Sequence, residues 1–66
     1  MSKEFGNHLR KIRMSKGFSQ QNMAEMLGVH RSAYTYYETG KSEPSFEKLK
    51  KICDYLQVDF NTMLDY

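Results

Sequence analysis

One stretch of the chain carries four hydrogen-bonding side chains at positions i, i+1, i+4 and i+5: Arg31, Ser32, Thr35 and Tyr36. On an α-helix this spacing brings all four onto one face, while Tyr34 and Tyr37 turn to the other. Such a face suits the base edges of a DNA major groove, where arginine pairs with guanine and an aromatic ring packs against the methyl group of thymine. The four residues are therefore predicted to contact bases, with Arg31 as the first candidate.

The helix that carries this face is predicted to follow another short helix closely. The first spans about residues 19–27 and the second about residues 31–38, with a three-residue turn between them. Gly28 allows the left-handed backbone that ends a helix, and the small side chain of Ala24 lets the two helices cross at short distance. The pattern predicts a helix-turn-helix unit whose second helix enters the major groove.

This unit resembles the helix-turn-helix of the phage repressor and Cro-like (XRE) family of DNA-binding domains. The residues that carry the resemblance are Gln20, Ala24, Gly28, Tyr34, Tyr37, Glu38, Gly40, Lys41 and Pro44. It extends over roughly residues 9–64, and the E-x-G-K-x-x-P continuation makes it specific. It implies an all-α fold, a compact five-helix bundle of the lambda-repressor-like type with the helix-turn-helix formed by helices 2 and 3.

The remaining helices are predicted from their caps and apolar stripes. Ser2 can cap a first helix that ends near Lys16. Ser45 can cap a fourth helix with the apolar stripe Leu49, Ile52, Cys53 and Leu56. Asp59 can cap a fifth helix, so that helices 4 and 5 cover about residues 45–65. The 66 residues are expected to form a single domain, 1–66.

A second set of residues is predicted to contact the phosphates of the DNA backbone: Gln20, Gln21, His30, Tyr37, Thr39 and Lys41. The first two lie at a helix start, where free N–H groups and the helix dipole attract phosphate. Lys41 and Thr39 follow the recognition helix and would fix its register without reading sequence. His30 departs from the Ser or Thr that is usual in the family at this position, and a solvated histidine is the alternative interpretation.

The resemblance also implies a structural ion pair between Arg13 and Glu38. A bidentate, partly buried pair would join helix 1 to the DNA-reading unit. The alternative is an exposed pair, which would contribute about 0–1 kcal/mol.

A dimer contact is expected near the end of the chain, because similar small family members often dimerise through this region. The candidate residues are Val58, Phe60, Met63 and Tyr66. The alternative is that the same side chains only close the core of one domain.

Composition excludes few functional classes, but it indicates what to expect of charge, disulfides and location. The net charge of +2 is too small to indicate nucleic-acid binding by itself, although residues 1–16 are basic and residues 42–66 are acidic. Cys53 is the only cysteine, so an intramolecular disulfide is excluded.

No signal peptide or membrane span is recognisable, and a cytoplasmic location is expected. No metal-ligand spacing, cofactor motif or catalytic constellation is present, so we expect no metal, no cofactor and no enzyme.

These observations predict a sequence-specific regulator of transcription that binds double-stranded DNA. It is expected to be a repressor that binds an inverted repeat as a homodimer and blocks promoter DNA sterically, with no small molecule and no membrane as a partner. The alternative is an antitoxin-like or other protein-interaction module in which DNA binding is secondary.

Overall fold

The computed structural model describes residues 2–66, which fold into five α-helices and no strand. They are α1 (Lys3–Ser15), α2 (Gln20–Leu27), α3 (Arg31–Thr39), α4 (Phe46–Leu56) and α5 (Phe60–Leu64). The predicted all-α, five-helix fold is confirmed, with the helix-turn-helix formed by α2 and α3.

Side-chain caps set the start of four helices. Ser2, Ser19, Ser45 and Asp59 each accept a hydrogen bond from a backbone N–H in the first turn of the helix that follows. At Ser19 the capping box is complete, because the side chain of Asn22 also accepts from the Ser19 N–H at 2.9 Å. His30 precedes α3 without a side-chain cap, so α3 depends on its packing for stability more than the other helices do.

The core is formed by apolar side chains from all five helices. Leu9 of α1, Met23 and Ala24 of α2, Tyr34 of α3, Ile52 of α4 and Met63 of α5 have no exposed surface. Burial of a large apolar side chain of this kind contributes about 1.5–3 kcal/mol. Met63 was predicted as a dimer contact, and this part of the prediction is wrong: a side chain inside the core of one copy cannot contact a second folded copy.

Two glycines allow α1 to lie directly against the C-terminal end of α3. A Cβ atom at Gly6 would stand 2.3 Å from the carbonyl oxygen of Glu38, and one at Gly40 would stand 2.8 Å from Cα of Lys3. Contacts this short cannot be relieved by a side-chain rotation, because the colliding atoms belong to the backbone. The absence of a side chain at both positions therefore fixes the distance between α1 and α3.

A buried ion pair joins the same two helices. Arg13 Nε donates to Glu38 Oε2 at 2.6 Å, and Arg13 Nη2 donates to Oε1 at 3.2 Å. The two residues are only 7% and 3% exposed. The hydroxyl group of Tyr34 donates to Glu38 Oε2 at 2.5 Å, and Arg13 Nη1 donates to the carbonyl oxygen of Phe18 at 2.7 Å. The pair is therefore bidentate and buried, not exposed.

Hydrogen bonds keep this cluster ionised despite its burial. Burial by itself raises the pKa of Glu38, but hydrogen bonds from Arg13, Tyr34 and Gln20 outweigh it and bring the pKa below its usual value. The hydrogen bond to Glu38 raises the pKa of Arg13. Burial, and then the hydrogen bond to Glu38, raises the pKa of Tyr34, so its phenol keeps the proton that it donates.

The hydroxyl group of Tyr34 is predicted to stabilise the domain. Replacing Tyr34 by Phe removes one of the donors to a buried carboxylate, and should lower the free energy of unfolding by about 1.5–3 kcal/mol in urea titrations. Tyr37→Phe is the matched control, because its ring packs edge-on against Tyr34 at 6.0 Å and its hydroxyl makes no hydrogen bond within residues 2–66. Equal losses for the two variants would contradict the assigned role.

Glu38 is also predicted to make the domain sensitive to acid. Because its pKa is lowered on folding, its stabilisation is complete above its usual value of 4.5 and is lost as the pH falls through the folded value. Glu38→Gln should be less stable at pH 7 and should show a flatter loss of stability between about pH 5 and pH 3. Glu4 and Asp59, whose pKa values are also lowered by local hydrogen bonds, remain in both proteins. Replacement of the exposed Glu25 by Gln is the control. A pH dependence as flat in Glu25→Gln as in Glu38→Gln would contradict the role assigned to Glu38.

Candidate nucleic-acid interface

Gln20 connects the buried cluster to the exposed side of α3. Its Nε2 donates to Glu38 Oε1 at 3.1 Å. A carboxylate only accepts hydrogen bonds, so the amide nitrogen must point to Glu38 and the amide oxygen must point away. That oxygen lies 3.5 Å from Arg31 Nη2 and 3.1 Å from Thr35 Oγ1. The hydroxyl proton of Thr35 is shared between this oxygen and the carbonyl oxygen of Arg31, which lies 2.9 Å away. The buried carboxylate of Glu38 thus sets the orientation of the Gln20 amide group. The amide oxygen then points to the exposed side of α3.

The outer side of α3 carries the residues predicted to contact bases. Arg31, Ser32 and Tyr36 are exposed and Thr35 is half-buried, while Tyr34 and Tyr37 face the core. We call the surface formed by Arg31, Ser32, Thr35 and Tyr36 the recognition face. It offers a guanidinium group, three hydroxyl groups and one aromatic ring, which is a set that can read base edges.

The residues predicted to contact phosphate lie at both ends of this face. Gln21 in the first turn of α2 and His30 just before α3 are both exposed. The side chain of Gln21 donates a hydrogen bond to the carboxylate of Glu25 at 3.1 Å. Thr39 and Lys41 are exposed at the other end of α3. Tyr37 is only 8% exposed and packs in the core, so its phosphate contact stays a prediction that concerns the hydroxyl group alone.

Lys3 lies next to these residues although it is distant in sequence. The backbone of Lys3 packs against Gly40, and Lys3 is exposed. The start of α1 therefore brings a second lysine to the loop that contains Lys41. Sequence reasoning missed this neighbour, because the close approach depends on Gly6 and Gly40 together.

The surface of α4 and α5 has exposed aromatic and aliphatic groups. Phe46 is 73% exposed, and its ring stacks on that of Phe60 with centroids 5.5 Å apart. Leu64 and Tyr66 are also exposed, while Val58 and Phe60 are half-buried. Tyr66 packs edge-on against Phe5 at 5.9 Å. Of the predicted dimer contacts, Val58, Phe60 and Tyr66 thus keep accessible surface. The exposure of Phe46 was not predicted from the sequence.

His8 has a structural contact that the sequence did not predict. Its Nε2 lies 2.8 Å from the carbonyl oxygen of Thr62, and a carbonyl only accepts, so the imidazole nitrogen must donate. The ring also lies 6.0 Å from that of Tyr66. His8 therefore helps to hold α5 on α1.

The chain offers nothing that resembles a catalytic centre in the part that the structure describes. Cys53 is 3% exposed, and burial raises the pKa of its thiol, which disfavours the reactive thiolate. Residues 2–66 contain no group of three His, Cys, Asp or Glu side chains that could hold a metal ion. Nor is any helix in this range both long enough and apolar enough to cross a membrane.

Proteins named as transcriptional regulators are similar to this chain in sequence. The chain is 47% identical over 60 residues to the SPbeta prophage-derived HTH-type transcriptional regulator YonR of Bacillus subtilis (strain 168), covering 91% of this chain and 56% of YonR. It is 36% identical to the HTH-type transcriptional activator BcrR of Enterococcus faecalis, covering 92% of this chain and 30% of BcrR. It is 28% identical to the cryptic phage CTXphi transcriptional repressor RstR of Vibrio cholerae, covering 82% of this chain and 49% of RstR. The chain thus spans about half of YonR and RstR and less of BcrR.

The fold is shared with a regulator of known structure. The restriction-modification controller protein C.AhdI from Aeromonas hydrophila superposes with a TM-score of 0.82 at 30% identity, covering 91% of both chains. The helix-turn-helix family HTH_3 matches residues 9–62, which include all of α2, α3 and α4. The chain therefore belongs to the XRE-type helix-turn-helix family of transcriptional regulators.

Proposed function

We propose that this protein is a sequence-specific repressor that binds an inverted repeat in double-stranded DNA as a homodimer. The observation that supports it is the hydrogen-bonded path from buried Glu38 through Gln20 to Thr35 and Arg31. This path holds the recognition face before DNA arrives, so less side-chain entropy is lost on binding. Arg31 and Tyr36 contact bases together with Ser32 and Thr35.

The phosphate contacts lie on both sides of that face. On the N-terminal side, the DNA phosphates are contacted by Gln20, Gln21 and His30. On the C-terminal side, they are contacted by Thr39, Lys41 and the hydroxyl group of Tyr37. Lys3 brings a positive charge to the loop that contains Lys41, because its backbone packs on Gly40. Contacts of this kind set position and salt dependence, whereas the recognition face sets sequence.

The homodimer is proposed to form through α4 and α5. These two helices and the residues next to them carry the stacked rings of Phe46 and Phe60 and the exposed side chains of Leu64 and Tyr66, and Val58 between the helices is half-buried. A twofold contact would bury these side chains in both copies. Two recognition helices would then enter successive major grooves, with half-site centres about one helical turn apart.

Repression follows from position on the promoter. A bound dimer covers DNA that RNA polymerase needs, and this requires no further chemistry from the protein. The relative RstR carries the name of a transcriptional repressor, whereas BcrR carries that of an activator.

The first experiment is selection of random duplex DNA by the purified protein, followed by sequencing of the retained molecules. An enriched inverted repeat is the expected result. A single enriched half-site would keep DNA recognition and remove the dimer. Retention that depends on salt but enriches no sequence would overturn the proposal and favour a protein-interaction module.

Arg31 is predicted to read one base pair of the enriched site. Arg31→Ala should weaken binding by about 1–3 kcal/mol and relax preference at that position only. Lys50→Ala removes one positive charge from an exposed position on α4 and is the control, for which sequence preference should not change. Competition binding against each single-base variant of the site measures both effects. Unchanged preference in the Arg31 variant would show that the assigned face is wrong.

A further inference from the structure

Backbone N–H groups of the loop after α3 converge on the carbonyl oxygen of Tyr36. The carbonyl oxygen of Tyr36 accepts from the backbone N–H groups of Gly40, Lys41 and Ser42, the last two at 3.0 and 3.2 Å. The left-handed backbone of Gly40, with φ of 82°, turns the chain so that these groups converge. The position of Lys41 relative to Tyr36 is therefore fixed by the backbone.

The side chain of Lys41 turns back over the ring of Tyr36. Its Nζ lies 4.9 Å from the ring centroid, within the range of a cation–π interaction. Tyr36 nevertheless remains 41% exposed. One face of the ring thus carries the ammonium group while other parts of the ring remain open to a ligand.

This contact has a consequence for the direction of the ring. An exposed tyrosine on a helix can choose between side-chain rotamers. An exposed cation–π contact favours one of them by about two- to fivefold. Lys41 therefore biases the ring of Tyr36 toward a single direction in the free protein.

We propose that Lys41 is a positioning residue for Tyr36, and that the positioned ring selects a thymine methyl group beneath the C-terminal end of α3. The proposal rests on the proposed function, because it requires that the recognition face lies in the major groove. Thymine is the base chosen, because it presents a methyl group in that groove. Tyr36 supplies the one large apolar surface of the recognition face, beside the polar Arg31 and Ser32.

A lysine that only contacts phosphate behaves differently. Its loss weakens binding to all sequences alike and lowers the salt dependence. A lysine that positions Tyr36 also changes the preference for one methyl group. The two roles are therefore separable by a change in the DNA that removes only that methyl group.

The test uses the duplex that the selection enriches, with each thymine of a half-site replaced singly by deoxyuridine. At one position, wild-type binding should weaken about fourfold, the value of one buried methyl group. Tyr36→Ala should abolish this penalty, and Lys41→Ala should reduce it to about two- to threefold, as the ring loses the contact that favours one rotamer. Lys41→Arg should retain it, because a guanidinium group also stacks on aromatic rings.

Two controls separate positioning from other effects of charge and folding. Lys50→Ala removes a lysine from α4 and should leave the deoxyuridine penalty as in the wild type. Thermal unfolding should be nearly unchanged for Lys41→Ala and Lys41→Arg, because the residue is exposed.

Several outcomes would overturn the inference. An undiminished penalty in Lys41→Ala, with uniformly weaker binding, would make Lys41 a phosphate contact only. The absence of any thymine that responds to deoxyuridine would remove the methyl contact of Tyr36, although the enriched duplex would still support the proposed function. If no duplex is enriched, the proposed function fails and this inference fails with it.

Discussion

Glu38 places a carboxylate near the C-terminal end of α3, where the helix dipole disfavours a negative charge and where burial removes it from water. The position is tolerable only because three donors converge on it. Arg13 supplies most of the compensation, and its own place in the last turn of α1 is one where the helix dipole favours a cation. Removing a partner would leave a buried charge without compensation, so the arrangement of α1 against α3 depends on all members of the cluster.

This constraint explains why α3 is held without a strong cap of its own. The helix begins after His30, which makes no side-chain cap, and it has only nine residues. A helix of this length is not stable in isolation. Its C-terminal end is fixed by Glu38 and by the contact of its backbone with Gly6, and its middle by the burial of Tyr34. Packing therefore replaces local helix signals in the element that faces the ligand.

The sequence predicted the parts of this arrangement that depend on local signals. Ser19 and Gly28 marked the ends of α2, and apolar spacing placed Leu49 and Ile52 in the core. The partners Arg13 and Glu38 followed from family resemblance, since no local signal joins residues 25 positions apart. Contacts that need three-dimensional placement were missed: Lys3 beside Gly40, and the hydroxyl of Tyr34 on Glu38. Phe46 lies at core spacing from Leu49 and Cys53, yet it is exposed because it begins α4 at the edge of the fold.

The same cluster links stability to recognition. Glu38 orients the amide of Gln20, and the amide oxygen then lies within reach of Thr35 and Arg31. At the other end of α3 the backbone of the loop converges on Tyr36 and places Lys41 over its ring. One end of the recognition face is thus fixed through a buried carboxylate and the other through an exposed loop. Because a hydrogen bond to a buried carboxylate is stronger than an exposed cation–π contact, the N-terminal end of the recognition face is held more firmly than the ring of Tyr36, whose direction depends on its contact with Lys41.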